Sequence, residues 1–342
     1  MWILQGEDVV QKEMEFTPGL FKIYDEILVN AADNKQRNPD TMDRMEITVD
    51  AENNLISVLN NGKGLPVQWH TEAKCYVPTL AFGRVLTGSN FDDAEKKTTG
   101  GRNGYGAKLA NIFSTEFIIE CGDSNEEKIF RQRFTNNMRE NEEPVIKKMT
   151  AAQKKKGDYV KVSFKPDLAK FKMDRLDEDT VQLLSKRAYD IAGSLAFIPG
   201  KKLTVSLNGK KLPIKKFDNY LKLYKGLENP IAYEVVEGRW EVGVGAADGG
   251  TMEQVSFVNA ICTSKGGEHV NYIADQVAKR LVEIVNKKNK GGAAIKAAQV
   301  KNHISIFVNC LIDNPTFDSQ TKEFLTTKKS KFGSKCELSA AF

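Results

Sequence analysis

Apolar residues recur along positions 16–34 at the spacing of one helix face. Leu20, Ile23, Tyr24, Ile27, Leu28 and Ala31 follow an i, i+3, i+4, i+7 pattern. Thr17 and Pro18 supply an N-cap and a first-turn proline. At about 100° per residue, Lys22, Glu26, Asn30 and Asp33 fall on a separate narrow stripe of the same helix. Strands are predicted over 45–50 and 55–59, joined by a turn at Glu52-Asn53-Asn54, with Asn60 to Gly64 as a loop. Residues 83–106 are rich in Gly, Thr, Ser, Asn and Asp, a long run of the kind that usually serves function. Apolar residues return at Ala107 to Phe113 as the start of a helix. Alternation predicts strands over 115–121, 128–134 and 159–164, with Lys147 to Gly157 as a lysine-rich solvated loop. A helix follows over Asp177 to Ala192, then a hairpin at Leu203–Leu207 with Asn208-Gly209. A second unit is expected from about residue 213, with strands near 239–246, 254–261 and 304–311. Its one long helix spans about His269 to Asn286. The chain therefore reads as α+β in two domains, 1–212 and 213–342, without internal repeats.

Composition narrows the class rather than the function. Of 342 residues, 41% are hydrophobic and 28% charged, which excludes a disordered chain and allows a sizeable core. Fifty basic against 45 acidic residues leave +5, too little to imply a nucleic-acid partner alone. The apolar stretches, such as Ile191 to Pro199, fall short of the roughly 20 residues that span a bilayer, so no membrane partner is expected. The N-terminus lacks the basic start and long apolar middle of a secretory leader. Five scattered cysteines form no CxxC pair, which argues against zinc or a disulfide framework.

Three segments carry candidate chemistry. In Thr98-Thr99-Gly100-Gly101-Arg102-Asn103-Gly104-Tyr105-Gly106-Ala107-Lys108, the clustered glycines let backbone N–H groups approach and cradle phosphates at a helix start. It is neither a Walker A loop nor GxGxxG, and alone it could be a flexible loop. Glu26 and Asn30, one turn apart, offer a carboxylate that can deprotonate water and an amide oxygen suited to Mg2+. Taken alone they read more readily as a solvated polar face. Asn60-Asn61-Gly62-Lys63-Gly64 at a strand end could be an ordinary turn.

The order of these pieces resembles the GHKL (Bergerat) ATPase fold. The strings narrow the resemblance. Asp25-Glu26-Ile27-Leu28-Val29-Asn30-Ala31-Ala32-Asp33-Asn34, Asn60-Asn61-Gly62-Lys63-Gly64 and Thr99 through Lys108 are similar to the ATPase domain of eukaryotic type IIA DNA topoisomerases. Ser256-Phe257-Val258-Asn259, Thr263-Ser264-Lys265-Gly266-Gly267 and Asp318-Ser319-Gln320-Thr321-Lys322-Glu323 resemble their transducer domain. The matches span nearly the whole chain.

The resemblance implies a GHKL α/β sandwich over 1–212 followed by a transducer of the ribosomal-protein-like β-α-β type. It implies that Glu26 activates the attacking water and that Asn30 holds Mg2+ against the phosphates of ATP. Asn34 and Asn60 would lie on the nucleotide, with Asn60 at the adenine, and Ser89 and Asn90 by the ribose. The family often has Ser where this chain has Gly88. Gly101, Arg102, Asn103, Gly104, Tyr105, Gly106, Ala107 and Lys108 would wrap the phosphates. Gln320, Thr321 and Lys322 would reach the γ-phosphate from the second domain, Lys322 as a catalytic group. Lys287, Lys288 and Lys290 would meet duplex DNA through its backbone, without reading sequence. ATP binding would close a homodimer around a DNA segment for strand passage, in the nucleus. The family's N-terminal strap is expected to be missing, and its DNA-cleaving tyrosine region to lie outside this chain. An ATP-driven clamp of the MutL or chaperone kind is the alternative, against which the transducer strings argue. His269 and Asn302-His303 are expected to be structural.

Overall fold

The computed structural model describes residues 1–84, 98–99, 106–225, 231–247, 250–289 and 292–342. The chain divides into two compact units, the first ending at Lys215 and the second running from Lys216 to Phe342.

The first unit is a nine-stranded mixed sheet with helices packed on it. From edge to edge the strands are Val145–Lys148, Lys128–Thr135, Ser114–Asp123, Tyr159–Pro166, Leu55–Asn61, Arg44–Asp50, Thr204–Leu207 and Lys210–Lys211, with Glu140–Asn141 beside Lys128–Thr135. All pairings are antiparallel except Thr204–Leu207 on Arg44–Asp50. Period-two patterning explains how the sheet sits: Met45, Ile47 and Val49 are buried, while their neighbours are half-exposed. Helix Pro18–Arg37 carries the predicted stripe into the core, with Leu20, Ile23, Tyr24, Ile27, Leu28 and Ala31 all buried. Tyr24 Oη donates to Leu184 O at 3.1 Å, which docks this helix on helix Glu178–Ser194.

Several local expectations change. Thr17 precedes the first helix, but its hydroxyl makes no cap bond; it donates instead to Met173 Sδ at 3.4 Å. Lys147 to Gly157 is not a loop throughout. It finishes strand Val145–Lys148 and forms helix Ala151–Lys156, closed by a Thr150/Gln153 capping box. No residue of that helix is buried, so it left no apolar stripe to read. The N-terminal hairpin Trp2–Gln5/Asp8–Gln11 and helix Val77–Gly83 carry no signal in the sequence pattern.

The second unit is a five-stranded sheet in the order Ala232–Val236, Trp240–Ala246, Ile304–Cys310, Glu253–Val258, Ile261–Cys262. Glu253–Val258 and Ile304–Cys310 are parallel, and helix Glu268–Lys288 lies between them in the chain, giving a β-α-β unit. The predicted single strand over 254–261 breaks at Asn259 and Ala260, both with positive φ, and reverses there. Asn259 holds that turn through its side chain: its Nδ2 donates to Ile312 O and its Oδ1 accepts from Ile312 N, each at 2.9 Å. Val270, Ile273, Ala274 and Val277 pack onto Trp240, Val242, Ile306 and Val308. His269 is fully buried, with Nε2 3.2 Å from Thr263 Oγ1, and burial pulls its pKa down to about 3. It is a neutral packing residue.

Candidate active site

Glu26 sits in the middle of helix Pro18–Arg37 with 4% of its surface exposed. The polar stripe is therefore not a solvated face: Asp33 is 1% exposed, and Lys22 and Asn30 are half-buried. Helical spacing brings Lys22 Nζ to 3.0 Å from Glu26 Oε1 and 3.4 Å from Asp25 Oδ2. Burial pulls the Lys22 ammonium down, but the two carboxylates outweigh it and hold its pKa above the ordinary lysine value. One oxygen of Glu26, Oε1, is thus held by a cation.

The other oxygen, Oε2, faces the start of helix Gly106–Ile112, which packs against helix Pro18–Arg37. A Cβ at Gly106 would lie 2.0 Å from Glu26 Oε2 and 2.6 Å from Cδ. Only glycine lets the end of the Gly-rich segment approach the carboxylate this closely. Ala107 and Lys108 follow, both buried, and burial lowers the Lys108 pKa to about 8. A buried amine on the helix that abuts a buried carboxylate is suited to a phosphate, whose charge would raise that pKa again.

Behind Glu26 lies a chain of charges that no sequence pattern disclosed. Arg187, fully buried on helix Glu178–Ser194, donates from Nε to Asp25 Oδ1 at 2.7 Å. Its Nη1 is 4.0 Å from Asp190 Oδ2, and Lys186 Nζ is 2.9 Å from Asp190 Oδ1. Charges alternate from Lys186 through Asp190, Arg187, Asp25 and Lys22 to Glu26.

The other end of the helix meets the end of strand Leu55–Asn61. Asn34 Nδ2 donates to Asn61 O at 3.3 Å, and its Oδ1 accepts from Asn38 Nδ2 at 2.9 Å. Its amide is thus bonded within the protein. Asn60 is buried and donates to Asn61 O at 3.2 Å. Gly62 turns the chain at φ +90°, with Met42 filling the space a side chain would need. In the first unit Glu26 meets Gly106, and Asn34 and Asn60 meet on Asn61 O towards the other end of the same helix; Asn30 lies on that helix between them, and Ala107 and Lys108 follow Gly106. Ser89, Asn90, Gly101, Arg102, Asn103, Gly104, Tyr105 and Lys290 lie outside the described residues.

Gln320, Thr321 and Lys322 belong to a tight loop of the second unit. Lys322 has φ +60° and its N–H donates to Ser319 O at 3.1 Å; Thr321 Oγ1 bonds Ser319 Oγ at 2.8 Å. Lys265 Nζ holds Glu323 at 2.8 Å on the same loop. Lys287 and Lys288 are exposed in the last turn of helix Glu268–Lys288.

Comparison with known proteins agrees with this fold. Residues 17–144 match the family described as histidine kinase-, DNA gyrase B- and HSP90-like ATPase, and residues 207–342 the family described as DNA gyrase B. The chain is 53% identical over 350 residues to DNA topoisomerase 2 of Arabidopsis thaliana and, again over 350 residues, 53% identical to human DNA topoisomerase 2-alpha. All of this chain is covered in both, but only 23% and 22% of those proteins. The solved ATPase and transducer domains of DNA topoisomerase II from Balamuthia mandrillaris superpose with a TM-score of 0.92 at 45% identity, covering all of this chain and 85% of that one. The ATPase region of Saccharomyces cerevisiae topoisomerase II gives 0.91 at 48%, covering all of this chain and 86% of that one. The chain belongs to the type IIA DNA topoisomerase family, in its ATPase-and-transducer region: a GHKL ATPase fold followed by a transducer fold.

Proposed function

We propose that the chain is a Mg2+-dependent ATPase that works as the ATP-operated gate of a type II DNA topoisomerase. The observation that carries this reading is the buried Glu26 carboxylate, held by Lys22 at 3.0 Å and pressed against Gly106 at the end of the Gly-rich segment. With Oε1 held by Lys22, Oε2 is left to accept a proton from a water attacking the γ-phosphate. ATP hydrolysis needs positioning and charge neutralisation more than covalent chemistry. Lys108 and the backbone N–H groups of the Gly-rich segment supply part of that charge. Asn30, one turn beyond Glu26, would hold Mg2+, which when bound neutralises the phosphate oxygens. A single protein oxygen suits a metal that takes its other positions from phosphates and water. No cluster of three or more His, Cys, Asp or Glu exists among the described residues to hold a metal by itself.

Asn60 would lie at the adenine and Ser89 and Asn90 at the ribose. Lys322, with Gln320 and Thr321, would grip the γ-phosphate while it is attached, so that hydrolysis releases the second domain, beginning near residue 213. Release of that grip is a switch read out as domain movement. Two copies would close on ATP binding around duplex DNA, met by Lys287, Lys288 and Lys290, in the nucleus. The test is ATPase rate against protein concentration, with and without duplex DNA. The reading expects hydrolysis that rises faster than linearly with concentration and is stimulated by DNA. Absence of hydrolysis would overturn it.

A further inference from the structure

Lys35 follows Asn34 on the first helix and is fully buried. Its Nζ donates to Pro39 O at 2.7 Å, to Met42 O at 3.0 Å and to Lys201 O. An ammonium has three donors, and all three are used on backbone carbonyls from two different loops. Burial lowers its pKa, opposed by the nearby carboxylates of Asp40 and Asp43. An aliphatic side chain would fill this space without the desolvation cost of a charge. The amine therefore does something that packing alone does not: it fixes loop 38–43 in one geometry.

That loop holds the strand end proposed to meet the nucleobase. Asp43 N and Arg44 N donate to Asn61 Oδ1 at 3.1 and 2.8 Å, and Asn61 Nδ2 donates back to Asp43 Oδ1 at 2.7 Å. Lys63 N donates to Thr41 Oγ1 at 3.3 Å. A Cβ at Gly62 would lie 2.8 Å from Met42 Cβ, so the two segments touch through backbone and Cβ atoms. Asn61 O in turn accepts from both Asn34 and Asn60. Displacing loop 38–43 moves Asn60, Asn61 and Asn34 together. Glu26 lies nine residues earlier, about 13 Å along the helix, and shares none of these bonds.

We propose that Lys35 is a positioning residue that sets the nucleobase end of the ATP site without touching ATP. This rests on the ATPase reading above. The experiment compares the parent with Lys35→Met and Lys35→Arg in the full chain, measuring kcat, KM for ATP, and the preference for ATP over GTP. Lys35→Met is expected to raise KM for ATP at least about tenfold, leave kcat within about threefold, and narrow the preference for ATP. Lys35→Arg keeps the charge but crowds a space shaped for one ammonium, and should raise KM less. If Lys35→Met does not fold, the comparison is made on Lys35→Arg alone. A KM within about twofold of the parent in whichever variant folds, or a fall in kcat with KM and base preference unchanged, overturns the proposal. Glu26→Gln is measured alongside. Should it hydrolyse ATP like the parent, the ATPase reading fails; should only Lys35 behave contrary to expectation, this inference fails alone.

Discussion

Arg187 and Asp25 lie 162 residues apart in the chain and meet at 2.7 Å with both side chains buried. The pair locks helix Pro18–Arg37, which carries Glu26, to helix Glu178–Ser194 by charge as well as by packing. Removing one partner of such a pair leaves the other as an uncompensated buried charge. Arg187→Ala is therefore expected to destabilise the first unit by about 3–5 kcal/mol, with Asp25→Leu/Arg187→Met losing much less. Urea unfolding measures both. A loss below about 1 kcal/mol in Arg187→Ala would mean the pair contributes no more than a surface ion pair.

Gly106, at the end of the Gly-rich segment, lies against the Glu26 carboxylate. Gly106→Ala must push the flexible end of Glu26 aside, because the new Cβ would sit 2.0 Å from Oε2. Glu26 Cβ would also lie only 2.9 Å away, so the two helices must shift as well: the melting temperature should fall, and turnover of the folded variant should fall at least about a hundredfold, the scale of removing a general base. Retained turnover would show that the carboxylate is not needed where it stands.

Lys108 gives the site a pH dependence with a definite sign. In the ligand-free protein its pKa is lowered to about 8 by burial, so the charge that attracts phosphate is lost as pH rises through that value. KM for ATP should therefore increase above about pH 8, and Lys108→Arg, which keeps its proton, should remove that increase. A parent KM that stays flat to about pH 9 would contradict a phosphate role for this amine.

Much of the first helix is legible in the sequence because burial leaves a periodic signature: the six apolar positions of its stripe are all buried. The direction of the polar stripe is not legible. Glu26 and Asp33 look like solvent-facing residues in a sequence, yet both are buried, with Gly106 packed over Glu26. Arg187 and Lys186 are hidden for the same reason, since adjacent basic residues on a helix normally read as solvated. Lys35 falls in a run, Asn34-Lys35-Gln36-Arg37, that looks like a helix end dissolving into water; its carbonyl partners come from positions 39, 42 and 201 and no spacing rule connects them. Short elements escape because they carry too few residues for a period, as with helix Ala151–Lys156 and hairpin Trp2–Gln5/Asp8–Gln11.

The basic end of helix Glu268–Lys288 predicts a salt-dependent partner. Lys287 and Lys288 are exposed there. Lys287→Glu/Lys288→Glu should reduce the stimulation of ATPase by duplex DNA while leaving DNA-free hydrolysis unchanged. The slope of log affinity for DNA against log salt should shrink by about 0.9 for each DNA phosphate that is no longer neutralised. Equal stimulation in variant and parent would remove DNA from this surface.

The proposed role of Glu26 is to activate the water that attacks ATP. It is tested most directly by single-turnover hydrolysis of Mg2+-ATP by Glu26→Gln, with nucleotide binding measured on the same sample. Binding close to that of the parent and no detectable turnover are expected. Hydrolysis at the parent's rate would contradict that role.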